Sequence, residues 1–158
     1  FRSRILDAGC GQGRLGVYLH ERGHRVTGVD IDPYLIERAR ESCPGATWEV
    51  ADLAADDWAA GPFDLAVSAG NVLAFVDPAD RGAVLANLAA RLATPDQGTD
   101  GRAGRLVVGF GLDRGWTRQE FERDAEGAGL RLEQRWSTWD LRPFDHDDGF
   151  LVAVLVRL

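Results

Sequence analysis

The chain has 158 residues, 18 basic and 25 acidic, a formal charge of −7 and 45% apolar side chains. One domain fits that length, with a core that takes roughly two-thirds of the unfolded surface out of water, so a second large domain and a disulfide- or metal-stapled mini-protein are both excluded. All 18 basic residues are arginines scattered between carboxylates, which speaks against the basic face of a nucleic-acid binder, and no apolar run approaches the roughly 20 residues of a membrane span.

A soluble, cytoplasmic chain with no membrane partner is therefore expected. The two cysteines, Cys10 and Cys43, have no second Cys or His at a ligand spacing, which argues against a structural zinc site or a disulfide framework and leaves the metal expectation at none. The sequence contains no Met, and only Phe1 to Ser3 precede the first apolar run. A processed chain, a single domain over 1–158 lacking its native N-terminal segment, is the expectation.

In chain order, short β-rich runs alternate with helical patterns, the signature of a parallel sheet covered by helices on both faces. Arg4 to Ala8 reads as a strand, followed by a glycine turn and a helix from about Gly13 to Arg22. Arg25 to Asp30 is a second strand. Asp32 then caps a helix with Pro33 in its first turn, Leu35, Ile36 and Ala39 on one face, and an end near Cys43 before Pro44-Gly45. Ala46 to Val50 and, after Gly61-Pro62, Phe63 to Ser68 are the third and fourth strands, and a helix covers about Pro78 to Leu92. Asp96 to Gly104 reads as a surface loop before a strand at Arg105 to Gly109. Thr117 caps a helix to about Ala128. Leu130 to Trp139 and Phe150 to Val156 are β-rich runs joined without a helix, which suits an antiparallel hairpin.

Chemistry concentrates in Ile5-Leu6-Asp7-Ala8-Gly9-Cys10-Gly11-Gln12-Gly13-Arg14, a strand that passes through three alternate glycines into a helix. Glycine lets the backbone turn sharply beside a ligand, and the helix start offers unpaired amides. The next strand ends in Asp30, 21 residues after Gly9, where a carboxylate can accept hydrogen bonds from both ribose hydroxyls. An adenosine-type ligand follows. The run Gly11 to Gly16 also satisfies the dinucleotide pattern GxGxxG. Asp7, however, would repel a pyrophosphate and welcome a cationic sulfonium and ammonium, which favours S-adenosylmethionine over NAD.

Asp7-Ala8-Gly9-Cys10-Gly11-Gln12-Gly13, Asp30 and Asp52-Leu53 resemble the successive cofactor motifs of class I S-adenosylmethionine-dependent methyltransferases, over nearly the whole chain. The resemblance implies an α/β, Rossmann-like seven-stranded sheet of order 3-2-1-4-5-7-6 with strand 7 antiparallel. It implies that Gly9, Gly11 and Gly13 line the methionine side with Asp7 and the small loop residue Cys10. Asp30 would hold the ribose, Ile31 would pack on adenine, and Asp52 with Leu53 would border the adenine amino group. Ser68-Ala69-Gly70-Asn71-Val72 would meet the methionine end and the substrate, with Ala69 and Gly70 at the cofactor.

Methyl transfer from a sulfonium destroys charge, so positioning and desolvation can supply much of the catalysis. The Asn- or Asp-Pro-Pro-aromatic motif of base-methylating relatives is replaced here by Ser68-Ala69-Gly70-Asn71, which leaves O-, N- or C-methylation of a small molecule. Asn71 is the candidate for orienting the acceptor. His146, within Phe144-Asp145-His146-Asp147-Asp148, is a second candidate, whereas His20 and His24 flank the end of the first helix, away from the cleft. Trp116, Trp136 and Trp139 are candidates for an aromatic wall, with Trp136 and Trp139 on opposite sheet faces if the strand reaches both. Two other functions remain open at this stage: an NAD-binding dehydrogenase-like domain and a noncatalytic interaction module of the same fold.

Overall fold

Apart from Asp7, β1 (Arg4–Ala8) is apolar from Ile5 onward, a pattern that suits a strand covered on both faces, and a computed structural model places it in the middle of the sheet. Residues 2–146 and 148–158 are described; Phe1, and Asp147 of the acidic turn around His146, lie outside the described residues. After β1 come α1 (Arg14–Glu21), β2 (Arg25–Asp30), α2 (Pro33–Ser42), β3 (Thr47–Val50) and β4 (Leu65–Ser68). A 3-10 turn (Val72–Phe75) leads to α3 (Arg81–Arg91), β5 (Arg105–Gly111), α4 (Arg118–Gly127), β6 (Leu130–Trp136) and β7 (Phe150–Arg157).

The seven strands lie in the order β3-β2-β1-β4-β5-β7-β6, as the resemblance implies. β1 pairs in parallel with β2 through Ile5 and Val26 and with β4 through Ile5 and Leu65. β7 runs antiparallel to both β5 and β6, so the terminal hairpin is real. The chain thus moves outward from β1 in both directions, and the crevice between the β1 and β4 loops is the switch point where open sheets of this kind bind ligands.

Two apolar clusters sandwich the sheet. Trp48 of β3, with Ile36, Ala39 and Cys43, forms the core beneath α1 and α2. The larger cluster on the other face joins Leu6 and Val29 to Leu85 and Leu88 of α3, Phe121 of α4 and Leu155 of β7. Within it Phe110, Trp116 and Phe121 meet ring to ring at 5.1–5.4 Å, two of the pairs edge to face. Trp116 is therefore core, not a pocket wall. Trp139 also differs from expectation, because β6 ends at Trp136 and the chain turns back with Ser137 N donating to Arg142 O. The Trp139 indole lies on the bare face of Gly109 in β5, half exposed.

Other boundaries move too, β5 running on to Gly111 instead of ending at Gly109. α3 starts at Arg81, not Pro78, because Asp77 closes a turn by accepting from Ala79 N through its side chain and from Asp80 N through its carbonyl. β4 starts at Leu65, with Phe63 reduced to an isolated bridge to Leu92. Among the described residues no helix is long and apolar enough to cross a membrane.

Candidate cofactor site

The glycine turn after β1 is pinned to β2 before any ligand is considered. Gly9 N and Cys10 N both donate to Val29 O, at 2.8 and 3.0 Å, and Gly9, Gly11 and Gly13 all take positive φ values (76°, 55° and 86°) that other residues rarely adopt. Asp30 then ties the loop to its own strand end. Its Oδ2 accepts from Gly11 N and its Oδ1 from Asp32 N, both at 2.9 Å. Asp32 is the helix cap, as expected from sequence, accepting from Tyr34 N and Leu35 N. A carboxylate oxygen has more than one lone-pair direction, and Asp30 keeps acceptor capacity toward the cavity it lines.

Asp7 sits at the floor, 3% exposed, and its Oδ2 has no hydrogen-bond partner. Burial pushes its carboxyl up to about 6, a backbone hydrogen bond from Gly16 opposes the shift, and the neighbouring charge of Asp30 adds to it. Burial, with Asp7 and Asp30 nearby, pushes the Cys10 thiol up to about 12. Cys10 is thus a protonated packing residue and not a nucleophile.

The opposite lip comes from β4. Gly70 (φ 72°) and Asn71 (φ 62°) are consecutive left-handed residues, and Asn71 Oδ1 accepts from Gly111 N at 2.7 Å. That bond fastens the turn to the end of β5 and swings Val72 over the glycine loop, where its methyls occupy the space that a Cβ on Gly9 would fill. Two hollows adjoin along this line and share Gly9, Gly70 and Val72. The first, about 380 Å³, is lined by Asp30, Ile31, Ala51, Asp52, Leu53 and Ala54, and by Phe75, Val76, Asp77, Asp80 and Val84 from the β4 side. The second, about 420 Å³, has Asp7, Cys10, Gly11, Gln12, Arg14, Leu15, Leu35 and Ala69 on its walls.

The candidate residues from the sequence mostly meet here, in two groups: Asp30, Ile31, Asp52 and Leu53 around one hollow, Asp7, Cys10, Gly11 and Ala69 around the other, and Gly9 and Gly70 between them. Gly13 does not join them. It faces the Trp48 ring, as Gly16 and Gly28 do, so its missing side chain makes room for an indole and not for a ligand. Asn71 lines neither hollow, because its carboxamide oxygen is committed to β5. His146 lies in a separate hollow of about 310 Å³ with Leu112, Thr117 and Arg118, and His20 and His24 sit at the far end of α1, where His24 Nδ1 accepts from Ser3 N. Val72 belongs to the run that the sequence placed at the methionine end, and Arg14 closes the glycine segment; Phe75 was not singled out, because the short Val72–Phe75 turn carries no periodic signal.

The chemistry fits an adenosyl group with a cationic amino-acid tail. Acidic Asp30 and Asp52 with apolar Ile31 and Leu53 suit a nucleoside, and Asp7, which lines the neighbouring hollow, suits an ammonium and would repel a pyrophosphate. Residues 5–95, which contain both groups, match the family model described as a methyltransferase domain. A TehB-like S-adenosylmethionine-dependent methyltransferase of Corynebacterium glutamicum is 46% identical, superposes with a TM-score of 0.90, and is covered over 82% of its length by the whole of this chain. Magnesium-protoporphyrin O-methyltransferase of Rhodobacter capsulatus is 39% identical over 93 residues, 56% of this chain and 40% of that protein. Malonyl-[acyl-carrier protein] O-methyltransferase of Salmonella typhimurium is 41% identical over 64 residues, 40% of this chain and 26% of that protein. The chain spans less than half the length of these two curated relatives. The dehydrogenase alternative falls with these findings: the chain belongs to the S-adenosylmethionine-dependent methyltransferases, with S-adenosylmethionine as its cofactor.

Proposed function

We propose that the protein transfers a methyl group from S-adenosylmethionine to a small-molecule acceptor through an oxygen, nitrogen or carbon nucleophile. The observation that carries this is the pair of hollows meeting at Gly9, Gly70 and Val72, one nucleoside-like in its lining and one bordered by the buried acid Asp7. The two curated relatives, whose names specify magnesium-protoporphyrin and malonyl-[acyl-carrier protein] as acceptors, support O-methylation of a carboxylate-bearing molecule as one such class.

When bound, the cofactor supplies an electrophilic methyl on a sulfonium. In this reading Asp30 holds the ribose hydroxyls with the lone pairs that Gly11 and Asp32 leave unused, while Ile31 and Leu53 flank the adenine and Asp52 borders its amino group. Asp7 faces the ammonium. Asn71 fixes the lip of the site by holding β5 and does not handle a proton. The chain's contribution to rate is then orientation and exclusion of water.

Labelled S-adenosylmethionine offered to the full-length protein with a panel of hydroxylated, carboxylated and amine metabolites tests the proposal. Label should pass to a small acceptor, and Asp30→Ala should weaken S-adenosylhomocysteine binding at least tenfold with the fold intact. Transfer only to a protein side chain or to nucleic acid, or cofactor binding without transfer to any acceptor, would overturn it; the latter result would favour a noncatalytic module.

A further inference from the structure

Residues 51–64 join β3 to β4 without a helix, and Ala51, Asp52, Leu53 and Ala54 at their start line the nucleoside-side hollow. An irregular segment of this length must find partners for its backbone outside any ladder. It finds them on α3. Asn87 Nδ2 donates to Leu53 O at 3.0 Å and to Ala55 O at 2.7 Å. One turn later, Arg91 donates through Nε to Ala59 O at 2.8 Å and through Nη2 to Asp56 O at 2.9 Å and Trp58 O at 3.2 Å. Its Nη1 returns to Asn87 O at 3.0 Å, and the guanidinium stands 3.7 Å from the centroid of the Trp58 ring.

Arg91 is 7% exposed, and no carboxylate among the described residues forms a salt bridge with it. A buried cation paired only with carbonyls is a costly way to fill a core position that Val84, Leu85, Leu88 and Ala89 of the same helix fill with apolar groups. What it supplies, and a leucine would not, is a fork of donors matched to successive carbonyls of one loop. The i, i+4 spacing puts Asn87 and Arg91 on the same face of α3, so five loop carbonyls hang from one rigid helix.

We propose that Asn87 and Arg91 are positioning residues for the cofactor, holding the Ala51–Ala54 wall in its binding shape before the ligand arrives. The proposal rests on the adenosyl reading of that hollow. A wall ordered in advance removes an ordering cost from binding, so loosening it lowers affinity for the nucleoside portion and leaves the Asp7 side of the site alone.

The test compares the parent chain with Asn87→Asp, which keeps the size and loses both donors, and with Arg91→Lys, which keeps the charge and loses the fork. S-adenosylhomocysteine and 5′-methylthioadenosine are titrated by calorimetry, and amide hydrogen exchange is followed in the ligand-free proteins. Each variant should lose tenfold or more in affinity for both ligands by a similar factor, with faster exchange confined to residues 52–60 and β1 and β4 unchanged. A global structural defect would not produce that localisation. Should Asn87→Asp fail to fold, Asn87→Ser and Arg91→Lys carry the same comparison. Folded variants that bind within twofold of the parent, or that lose S-adenosylhomocysteine but keep 5′-methylthioadenosine, would overturn the assignment. A parent chain that binds neither ligand would overturn the adenosyl reading, and the assignment with it.

Discussion

Asp7→Asn should make the ligand-free protein more stable and the cofactor site worse. The carboxyl stands at about 6 in the fold against 3.8 for an unperturbed aspartate. A group raised in this way favours the fold fully below its unfolded value, and the advantage is lost as pH rises through about 6. At neutral pH the native state therefore holds a buried charge that makes the fold about 3 kcal/mol less stable than where Asp7 is protonated in both the folded and the unfolded chain. The amide removes that charge and can keep the bond from Gly16, but it leaves an NH2 where Oδ2 lacks a partner, which returns about 1 kcal/mol or more. A net gain of about 1–2 kcal/mol is expected in urea unfolding near pH 7.5, turning into a net loss of about 1 kcal/mol near pH 4. Binding moves the other way. A ligand ammonium favours ionised Asp7, so below pH of about 6 binding must expel a proton, and S-adenosylhomocysteine affinity should climb up to tenfold per pH unit there and level off above. Asp7→Asn should flatten that profile and weaken binding at least tenfold at neutral pH. A variant no more stable than the parent at pH 7.5, or a parent affinity flat between pH 5 and 7, would refute the reasoning.

Gly9→Ala should cut S-adenosylhomocysteine affinity tenfold or more, because the new methyl meets the Val72 side chain; adding Val72→Ala should restore part of it, and no restoration in calorimetry would point to the φ of 76° as the whole cause. Asn71→Ala should cost about 2 kcal/mol of stability, by orphaning Gly111 N and placing alanine at φ 62°, whereas Asn71→Gly should cost about 1 kcal/mol. Lost turnover with unchanged stability and cofactor affinity would instead return Asn71 to catalysis. Asp64, despite the desolvation it suffers, is held well below the usual carboxylate range by Arg4 N and guanidinium and by Thr99 N and Oγ1. Its contribution is present above its unfolded value and is lost as pH falls through the folded one. Asp64→Asn should therefore cost about 2 kcal/mol at neutral pH in urea unfolding, with the gap closing in strong acid.

Features set by local chemistry were legible in the sequence. The strand-to-glycine turn, the Asp32 cap, the Thr117 cap and the antiparallel hairpin each follow from a few neighbouring residues, and the structure contains them all. Features set by distant packing were not. Gly13 looks like Gly9 and Gly11 on the page, and only the arrival of Trp48 from β3 turns it into a packing notch. Asn71 follows β4 as expected, but its φ of 62° and the bond its Oδ1 accepts from Gly111 N have no signature in the run Ser68 to Val72. The apolar Val72–Phe75 turn carries too short a pattern for periodicity to separate it from the strand before it. The partnership of α3 with residues 51–62 joins segments more than thirty positions apart, beyond the reach of any window of spacing.

The position of Val72 over Gly9 has a consequence for how the chain reaches its working form. The recognisable fingerprint, from Asp7 through Asp30 to Leu53, is complete within the first third of the molecule, yet the pocket closes only when β4 aligns with β1 and delivers its lip from some sixty residues away. A nascent chain or proteolytic fragment ending before Leu65 would carry every emblem of the family and have nowhere to put the ligand. Ligand capture thus requires, and reports, the joining of the two halves of the sheet.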